Sequence, residues 1–214
     1  MALRNEFQHT LIVEAPIAVG VLALISCILI VAMVRGRARP GRQASKRANH
    51  PRLEGTVLAV LLCSAVFLAW FDISNNNAEA RPLGHPALVV DVTASQWCWK
   101  FHYEHSAVTV QADCLGGSYP VLGLPTNRVV QLRITSTDVI HGFWIPYLRY
   151  KIYAMPDHVN TVEVDLTQTG SWPGRCAVFC GLYHSTMDFT LRAMDPSAFS
   201  RWMGPAGGTA APSS

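Results

Sequence analysis

Two long uncharged stretches near the N-terminus constrain this chain more than any other feature. Residues 15–34 are twenty residues without a charge, and residues 55–71 are seventeen. A helix needs about 20 apolar residues to cross the hydrocarbon core of a membrane, so both runs fall within the spanning range. The first run is too long for the core of a signal peptide. We therefore predict a two-helix transmembrane hairpin over residues 15–71, preceded by an N-terminal segment over residues 1–14.

The segment between the two runs carries a concentrated positive charge. Residues 35–52 hold seven basic residues and no acid, whereas residues 72–214 hold nine bases and eleven acids. Basic loops between spans face the cytoplasm, so the chain after about residue 72 is expected on the opposite side of the membrane. Because both flanks are apolar, we interpret this charge as a topology signal. Membrane lipid is the expected neighbour of the segment, and nucleic acid is not.

The second half of the chain has the pattern of an all-β domain. A polar linker is expected over residues 72–86, a domain over residues 87–203 and a small, polar, disordered tail over residues 204–214. Alternating bulky and polar residues predict six short strands: 87–92, 96–103, 107–112, 128–135, 160–166 and 188–194. Six or more such strands predict a sandwich or a small barrel. Asp195 and Pro196 predict the start of a short helix that ends near Met203.

The most informative motif reads C-A-V-F-C-G-L-Y-H-S-T-M and contains Cys176, Cys180, His184 and Met187. Soft sulfur ligands beside imidazole suit copper, whereas a zinc site would prefer His or Cys over Met. A blue-copper site would use one Cys, so the second Cys indicates two bridging thiolates and two copper ions. His141, in D-V-I-H, is the best candidate for a second imidazole, and a backbone carbonyl between the cysteines would complete the set. The alternative is a local disulfide between the two cysteines.

Nearly the whole chain resembles subunit II of cytochrome c oxidase, the subunit that carries the dinuclear copper centre called CuA. The likeness rests on the apolar hairpin and on the motifs Q-W-C-W, D-V-I-H, A-M-P and C-x-x-x-C-x-x-x-H-x-x-M. It implies two transmembrane helices followed by a cupredoxin-like Greek-key β-sandwich. It also implies that Cys176 and Cys180 bridge two copper ions. The remaining ligands implied by the resemblance are His141, His184, Met187 and the backbone carbonyl of Val178.

The resemblance also implies a function. Such a subunit takes electrons from cytochrome c, or from a small copper protein, and passes them to haem in subunit I, where oxygen is reduced. The copper domain would lie on the periplasmic or extracellular side of a bacterial cell membrane, beside other oxidase subunits. Trp97 occupies the position where the family receives the electron, and Trp99 follows in the same motif. Glu54 occupies a position near the entrance of a proton channel in subunit I.

Three departures from the family pattern affect these expectations. Val178 stands where the family usually has a Glu that also reaches a magnesium ion at the interface with subunit I, which puts a magnesium ligand from this chain in doubt. Cys98 interrupts the usual W-Y-W cluster, and the sequence leaves open whether it pairs with Cys114. Asp157 and His158 replace a Gly-Arg pair.

Two alternative functions remain open at this point. The same copper module serves nitric-oxide-reducing relatives of the oxidases, and the valine between the two cysteines keeps that possibility open. A membrane-tethered copper carrier would bind the metal without transferring electrons. The absence of a C-x-x-C-H motif indicates that the chain carries no covalently attached haem.

Overall fold

The computed structural model describes residues 2–37, 50–79 and 83–204 and divides the chain into a helical unit and a β unit. The predictions for residues 38–49 of the basic segment, 80–82 of the linker and 205–214 of the tail concern positions outside the described residues. The helical elements are α1 (Ala2–Gly36), α2 (Pro51–Glu79) and α3 (Pro196–Trp202). The strands are β1 (Leu88–Ser95), β2 (Cys98–Tyr103), β3 (Thr109–Gln111), β4 (Val121–Pro125), β5 (Val129–Ser136), β6 (His141–Ile145), β7 (Tyr150–Ala154), β8 (Asn160–Asp165), β9 (Gly170–Cys176) and β10 (Asp188–Met194).

The helical unit contains two helices that are long and apolar enough to cross a membrane, over Thr10–Gly36 and Pro51–Asn75. They run antiparallel, since the Asn75 side chain near the end of α2 donates a hydrogen bond to Thr10 near the start of α1, at 3.5 Å. Both helices extend beyond the uncharged runs. The helices therefore include residues 2–14, predicted as an N-terminal segment, and residues 72–79, predicted as part of a linker. Helical hydrogen bonds form within a segment and need no apolar side chain, so a helix can continue past an apolar run.

The β unit is a sandwich of two five-stranded sheets. The first sheet has the strand order β3-β2-β1-β5-β8, and the second has the order β4-β10-β9-β6-β7. Strands β1 and β5 pair in parallel, as do β4 and β10, and the other neighbours are antiparallel. The predicted architecture, two apolar helices followed by a β-sandwich, is confirmed.

The core between the sheets is aromatic at the end where β6, β9 and β10 meet. Phe143 and Phe189 stack with ring centroids 4.7 Å apart, and Trp99 packs edge-on against them at 5.3 and 5.7 Å. All three side chains are at most 2 % exposed. Offset and edge-on aromatic pairs stabilise a core by more than the burial of their surface area alone. This cluster therefore stabilises the end of the core from which the adjoining loops begin.

Four strands were missed by the sequence prediction, namely β4, β6, β7 and β9. Strand β4 is buried along its whole length and therefore does not alternate, and β9 contains Pro173. Strand β9 nevertheless forms because it lies between β10 and β6, where tertiary pairing overrides local propensity. His141 begins β6, the strand that follows β5. The short C-terminal helix was predicted correctly, with Asp195 accepting from the backbone N–H groups of its first turn.

Candidate metal centre

The predicted donor residues converge at one end of the second sheet. His141 begins β6, and Cys176 ends the neighbouring antiparallel strand β9. The chain then forms a loop that returns to the sheet at Met187, whose carbonyl accepts a hydrogen bond from the backbone N–H of Cys176 at 2.9 Å. The backbone N–H of Ala177 donates to the carbonyl of Gly142 at 2.8 Å. The cysteine loop is therefore fastened to both flanking strands.

Two glycines allow this loop to approach its neighbours. A Cβ atom on Gly142 would lie 2.9 Å from the backbone carbon of Ala177 and from the backbone nitrogen of Val178. Gly181 has a φ of +120°, and a Cβ there would lie 3.1 Å from the side-chain nitrogen of Gln96. Only glycine adopts such a φ without strain. The loop geometry thus depends on both positions.

The two cysteines of the loop are free thiols. Their Sγ atoms lie 3.8 Å apart, far beyond the S–S bond length of about 2.05 Å. The structure therefore excludes a Cys176–Cys180 disulfide in this conformation. Both side chains are buried, with 6 % and 4 % exposure, and His141 beside them is fully buried. The ligand atoms of these three residues lie within 4.8 Å of one another.

Each sulfur has its own pair of further donor atoms. Around Cys176, the Nδ1 of His141 lies at 3.9 Å and the carbonyl oxygen of Val178 at 3.2 Å. Around Cys180, the Nδ1 of His184 lies at 3.5 Å and the Sδ of Met187 at 3.9 Å. The structure thus brings together all six donors that the sequence predicted. Three sulfur atoms, two imidazoles and one carbonyl form a soft donor set that fits copper.

Asp138 fixes the orientation of the His141 imidazole. One carboxylate oxygen lies 2.9 Å from Nε2 of His141, and the other accepts the backbone N–H of Gln96 at 2.6 Å. Burial opposes ionisation of Asp138, but these hydrogen bonds and that from the Val139 N–H lower its pKa overall. The carboxylate therefore accepts a hydrogen bond from Nε2, which leaves Nδ1 as the atom that faces the sulfur of Cys176.

The two thiols have opposite electrostatic environments. Burial raises the pKa of Cys176, but hydrogen bonds with His141 and with the backbone of Val178 and Gly142 outweigh it and lower the pKa to about 6. Burial and the neighbouring Cys176 charge raise the pKa of Cys180. Burial lowers the pKa of His141, but its contacts with Cys176 and Asp138 raise it overall. The environment thus favours ionisation of Cys176 over ionisation of Cys180 before any metal binds.

Two indoles hold the carbonyl groups of donor residues. The Nε1 of Trp97 donates to the carbonyl of Cys180 at 3.2 Å, and the side chain of Gln96 donates to the same oxygen at 2.6 Å. The Nε1 of Trp99 donates to the carbonyl of Met187 at 3.3 Å. Trp99 is fully buried, whereas Trp97 is half-buried and lies in the turn between β1 and β2. The turn and the metal loop, which is the cysteine loop over residues 177–186, therefore form one hydrogen-bonded unit.

Sequence reasoning missed Asp138 and Gln96 as supports of the site. The D-V-I-H motif contained a usable signal, because an acid three residues before a candidate histidine ligand is placed to orient its ring. Gln96 carried no comparable signal, since its two contacts join segments about forty and eighty residues away. These two contacts of Gln96 can be recognised only once the fold is known.

Glu54 belongs to the helical unit and lies in the first turn of α2. Its carboxylate accepts the backbone N–H of His50 at 2.9 Å, and its own N–H donates to the carbonyl of that residue at 3.0 Å. This reciprocal pair of hydrogen bonds gives a partner to the backbone N–H of His50, which has none within the helix. Its contacts within the unit are those of a helix start.

A disulfide lies close to the site in sequence. Cys98, at the start of β2, is bonded to Cys114, with Cα atoms 5.5 Å apart. The bond answers the question that the sequence left open. It ties the strand that carries Trp99 to the loop before β4, and it leaves the two loop cysteines as the free thiols of the described β unit.

The chain is similar in sequence to known proteins. Residues 88–194 match the family described as cytochrome C oxidase subunit II, periplasmic domain. The chain is 28 % identical to a probable cytochrome c oxidase subunit 2 of Nocardia farcinica, over 71 % of this chain and 57 % of that one. It is 37 % identical to cytochrome c oxidase subunit 2 of Thermostichus vulcanus, over 55 % of this chain and 33 % of that one. The chain thus spans a little over half the length of the former relative.

A solved structure supports the fold. The β unit is similar to the crystal structure of the periplasmic domain of cytochrome oxidase subunit II from Bradyrhizobium japonicum, with a TM-score of 0.54 and 26 % identity. The match covers 58 % of this chain and 96 % of that domain. The sandwich is therefore of the cupredoxin-like kind that the sequence predicted.

Proposed function

This chain belongs to the family of cytochrome c oxidase subunit II, and on that premise we propose that it accepts single electrons at a dinuclear copper centre. It passes them to haem in subunit I, the large partner subunit, where oxygen is reduced. The observation that carries this proposal is the pair of free, buried thiols 3.8 Å apart, each with its own imidazole and a further donor. The chain itself performs no oxygen chemistry.

The residues have distinct proposed roles. Cys176 and Cys180 would hold both copper ions through their thiolates. The donor set would be completed by His141 and the Val178 carbonyl, which lie near Cys176, and by His184 and Met187, which lie near Cys180. Copper bound there would supply one-electron oxidation and reduction. The chain holds the donors on strand ends and on a loop fixed by hydrogen bonds, so that they need little rearrangement when charge changes.

Trp97 is the proposed point at which the electron arrives. Its indole is half-buried at the surface, and its N–H donates directly to the carbonyl of Cys180. A covalent and hydrogen-bonded path thus connects a surface ring with a proposed copper ligand. Trp99 supports the path from inside the core through the Met187 carbonyl. The proposed donor is cytochrome c or a small copper protein.

The helices and the disulfide support the proposed location. The chain is a membrane protein of an oxidase complex, held by two apolar helices. Disulfides persist in oxidising compartments, so the Cys98–Cys114 bond favours the periplasmic or extracellular side for the copper domain of a bacterial cell membrane protein. The basic segment over residues 35–52 would then face the cytoplasm. Other oxidase subunits and membrane lipid would surround the helices.

We propose that Val178 and Glu54 lie near subunit I. The backbone carbonyl of Val178 is available as a ligand, but its apolar side chain offers none, so we propose that any magnesium ion at that interface lacks a ligand from this position. Glu54, whose carboxylate caps the start of α2, remains our candidate for the entrance of a proton channel. Replacing Glu54 by Gln in the assembled oxidase and measuring proton pumping per electron tests that role.

Metal analysis of the full chain tests the proposal. The copper-loaded protein should be purple, contain two copper ions per chain and show a mixed-valence signal shared by two copper nuclei. Cys176→Ser should abolish that signal, whereas Cys63→Ser, which alters a free cysteine of α2, should retain it. A signal from a single copper, or none after reconstitution, would contradict the proposal.

Two further measurements separate the alternatives. A copper carrier needs an exchangeable site, whereas the donors here are largely buried; rapid loss of copper to a mild chelator would favour the carrier. A nitric-oxide-reducing complex remains the alternative because of the valine between the cysteines. Consumption of oxygen or of nitric oxide by the complex that copurifies with this chain decides between the two.

A further inference from the structure

We propose that Tyr183 is a positioning residue that holds the indole of Trp97 in the orientation in which it receives electrons. This inference rests on the proposed function, since it gives Tyr183 a part in the same transfer. Tyr183 itself donates no ligand and lies immediately before His184 in the metal loop. Its role would be exerted through the ring that it contacts.

The contact between the two rings is direct. The centroids of Trp97 and Tyr183 lie 4.9 Å apart, and the ring planes meet at 74°, an edge-to-face arrangement. This is the preferred geometry of an aromatic pair, in which the positive edge of one ring faces the negative face of the other. Among the described residues, Tyr183 is the aromatic side chain that packs on Trp97 in this way.

The metal loop supports the indole at a second point. The Trp97 Nε1 donates to the Cys180 carbonyl, and a Cβ on Gly181 would lie 3.2 Å from that nitrogen. The backbone of residues 180–181 therefore fits closely under the nitrogen end of the indole. A hydrogen bond alone leaves a ring free to tilt about the donor. The Tyr183 contact restricts that tilt, because its ring packs against the rings of the indole in addition to the hydrogen bond at Nε1.

Exposure explains why a surface indole needs such support. Tyr183 is 42 % exposed, and its loop neighbours Phe179 and Leu182 are 80 % and 79 % exposed. Trp97 thus lies at the rim of the sandwich, where a side chain without neighbours samples several rotamers. Electron transfer depends on how close and how well aligned the donor and acceptor are. Fixing one rotamer of Trp97 raises the fraction of encounters that are productive.

Stopped-flow reduction of the copper-loaded full chain by reduced soluble cytochrome c tests the inference. Tyr183→Ala should slow reduction of the copper centre by about two- to tenfold, the range that the stabilisation of an aromatic pair implies. Tyr183→Phe keeps the ring and should restore most of the rate. The matched control is Tyr119→Ala, which removes a tyrosine of similar exposure, 36 %, from the loop before β4.

A double-variant cycle separates positioning from general loss of structure. In a Trp97→Phe background, Tyr183→Ala should cause little additional slowing, because the ring that Tyr183 positions is already absent. The copper absorption and mixed-valence signal should be the same in all variants. Equal slowing by Tyr183→Ala in both backgrounds, or a Tyr183→Phe rate as low as that of the alanine variant, would overturn the inference. Failure of the wild-type chain to form a two-copper signal would instead overturn the proposed function.

Discussion

The carboxylate of Asp138 accepts a hydrogen bond from Nε2 of His141 at 2.9 Å, so the imidazole presents Nδ1 to the sulfur of Cys176. The same carboxylate accepts the backbone N–H of Gln96, whose side chain in turn donates to the carbonyl of Cys180. A continuous set of hydrogen bonds therefore links the two halves of the donor set. The turn between β1 and β2 is part of the proposed copper site although it supplies no ligand.

Replacing Asp138 by Asn should weaken copper binding by about 10- to 100-fold, the usual effect of removing a group that orients a ligand. The amide keeps the size of the side chain but loses the charge that fixes the proton on Nε2. Competition with a copper chelator of known affinity measures the change. Asp157→Asn, at an exposed position of another loop, is the control. Equal affinities in the two variants would show that the orientation of His141 does not limit binding.

Replacing Gln96 by Met should increase the rate of copper loss, because the Cys180 carbonyl then keeps only the longer bond from Trp97. Loss of one such hydrogen bond costs about 1 kcal/mol, which corresponds to about a fivefold change in rate. Release of copper to excess chelator can be followed by the loss of absorption. Gln111→Met, at the exposed end of β3, should release copper at the wild-type rate. A Gln96 variant that retains copper equally well would refute the linking role.

Replacing Gly142 by Ala should destabilise the β unit by about 1–3 kcal/mol, the usual cost of overpacking. The new Cβ would lie 2.9 Å from two backbone atoms of the cysteine loop, which cannot rotate away as a side chain can. Denaturant unfolding of the copper-free chain, followed by tryptophan fluorescence, measures the loss. Gly20→Ala in α1, where a Cβ would meet no atom within 4 Å, is the control. An unchanged unfolding midpoint would show that the loop can move away from β6.

The sequence indicated which candidate donors lie together better than it indicated the strands that carry them. Cys176, Cys180, His184 and Met187 lie within twelve residues, so local spacing alone brings them together. His141 needed the family resemblance, because only the pairing of β6 with β9 places it beside Cys176. Those two strands were missed for different reasons: β6 is almost wholly buried and does not alternate, and β9 contains proline, which argues against a strand inside a sheet.

Removing the Cys98–Cys114 bond, by replacing both residues with Ser, should lower the free energy of unfolding by about 3 kcal/mol. The cross-link closes a loop between residues separated by 16 positions and so restricts the unfolded chain. The donors belong to other elements, so the two-copper signal should persist in the folded variant. Urea unfolding with and without a thiol reductant gives an independent measurement on the wild-type protein. Coincident curves in all cases would mean that the bond contributes nothing to stability.

The metal-free chain should react unequally at its two loop thiols. Hydrogen bonds with His141 and with nearby backbone groups lower the pKa of Cys176 to about 6, whereas burial and the adjacent negative charge raise the pKa of Cys180. The thiolate is the reactive form, so at pH 7 Cys176 is largely ionised and Cys180 is protonated. Both side chains are similarly buried, so access does not favour either one. Iodoacetamide should therefore modify Cys176 first.

Peptide mapping by mass spectrometry after short exposure to iodoacetamide measures this preference. Modification of Cys176 should be fastest above pH 6 and should fall as the pH is lowered through 6, because protonation removes the thiolate. Asp138→Asn should shift that fall to higher pH, since the carboxylate favours the protonated imidazole whose hydrogen bond stabilises the thiolate. Copper should protect both residues. Equal labelling of the two cysteines at pH 7 would show that the asymmetry between the thiols is absent in solution.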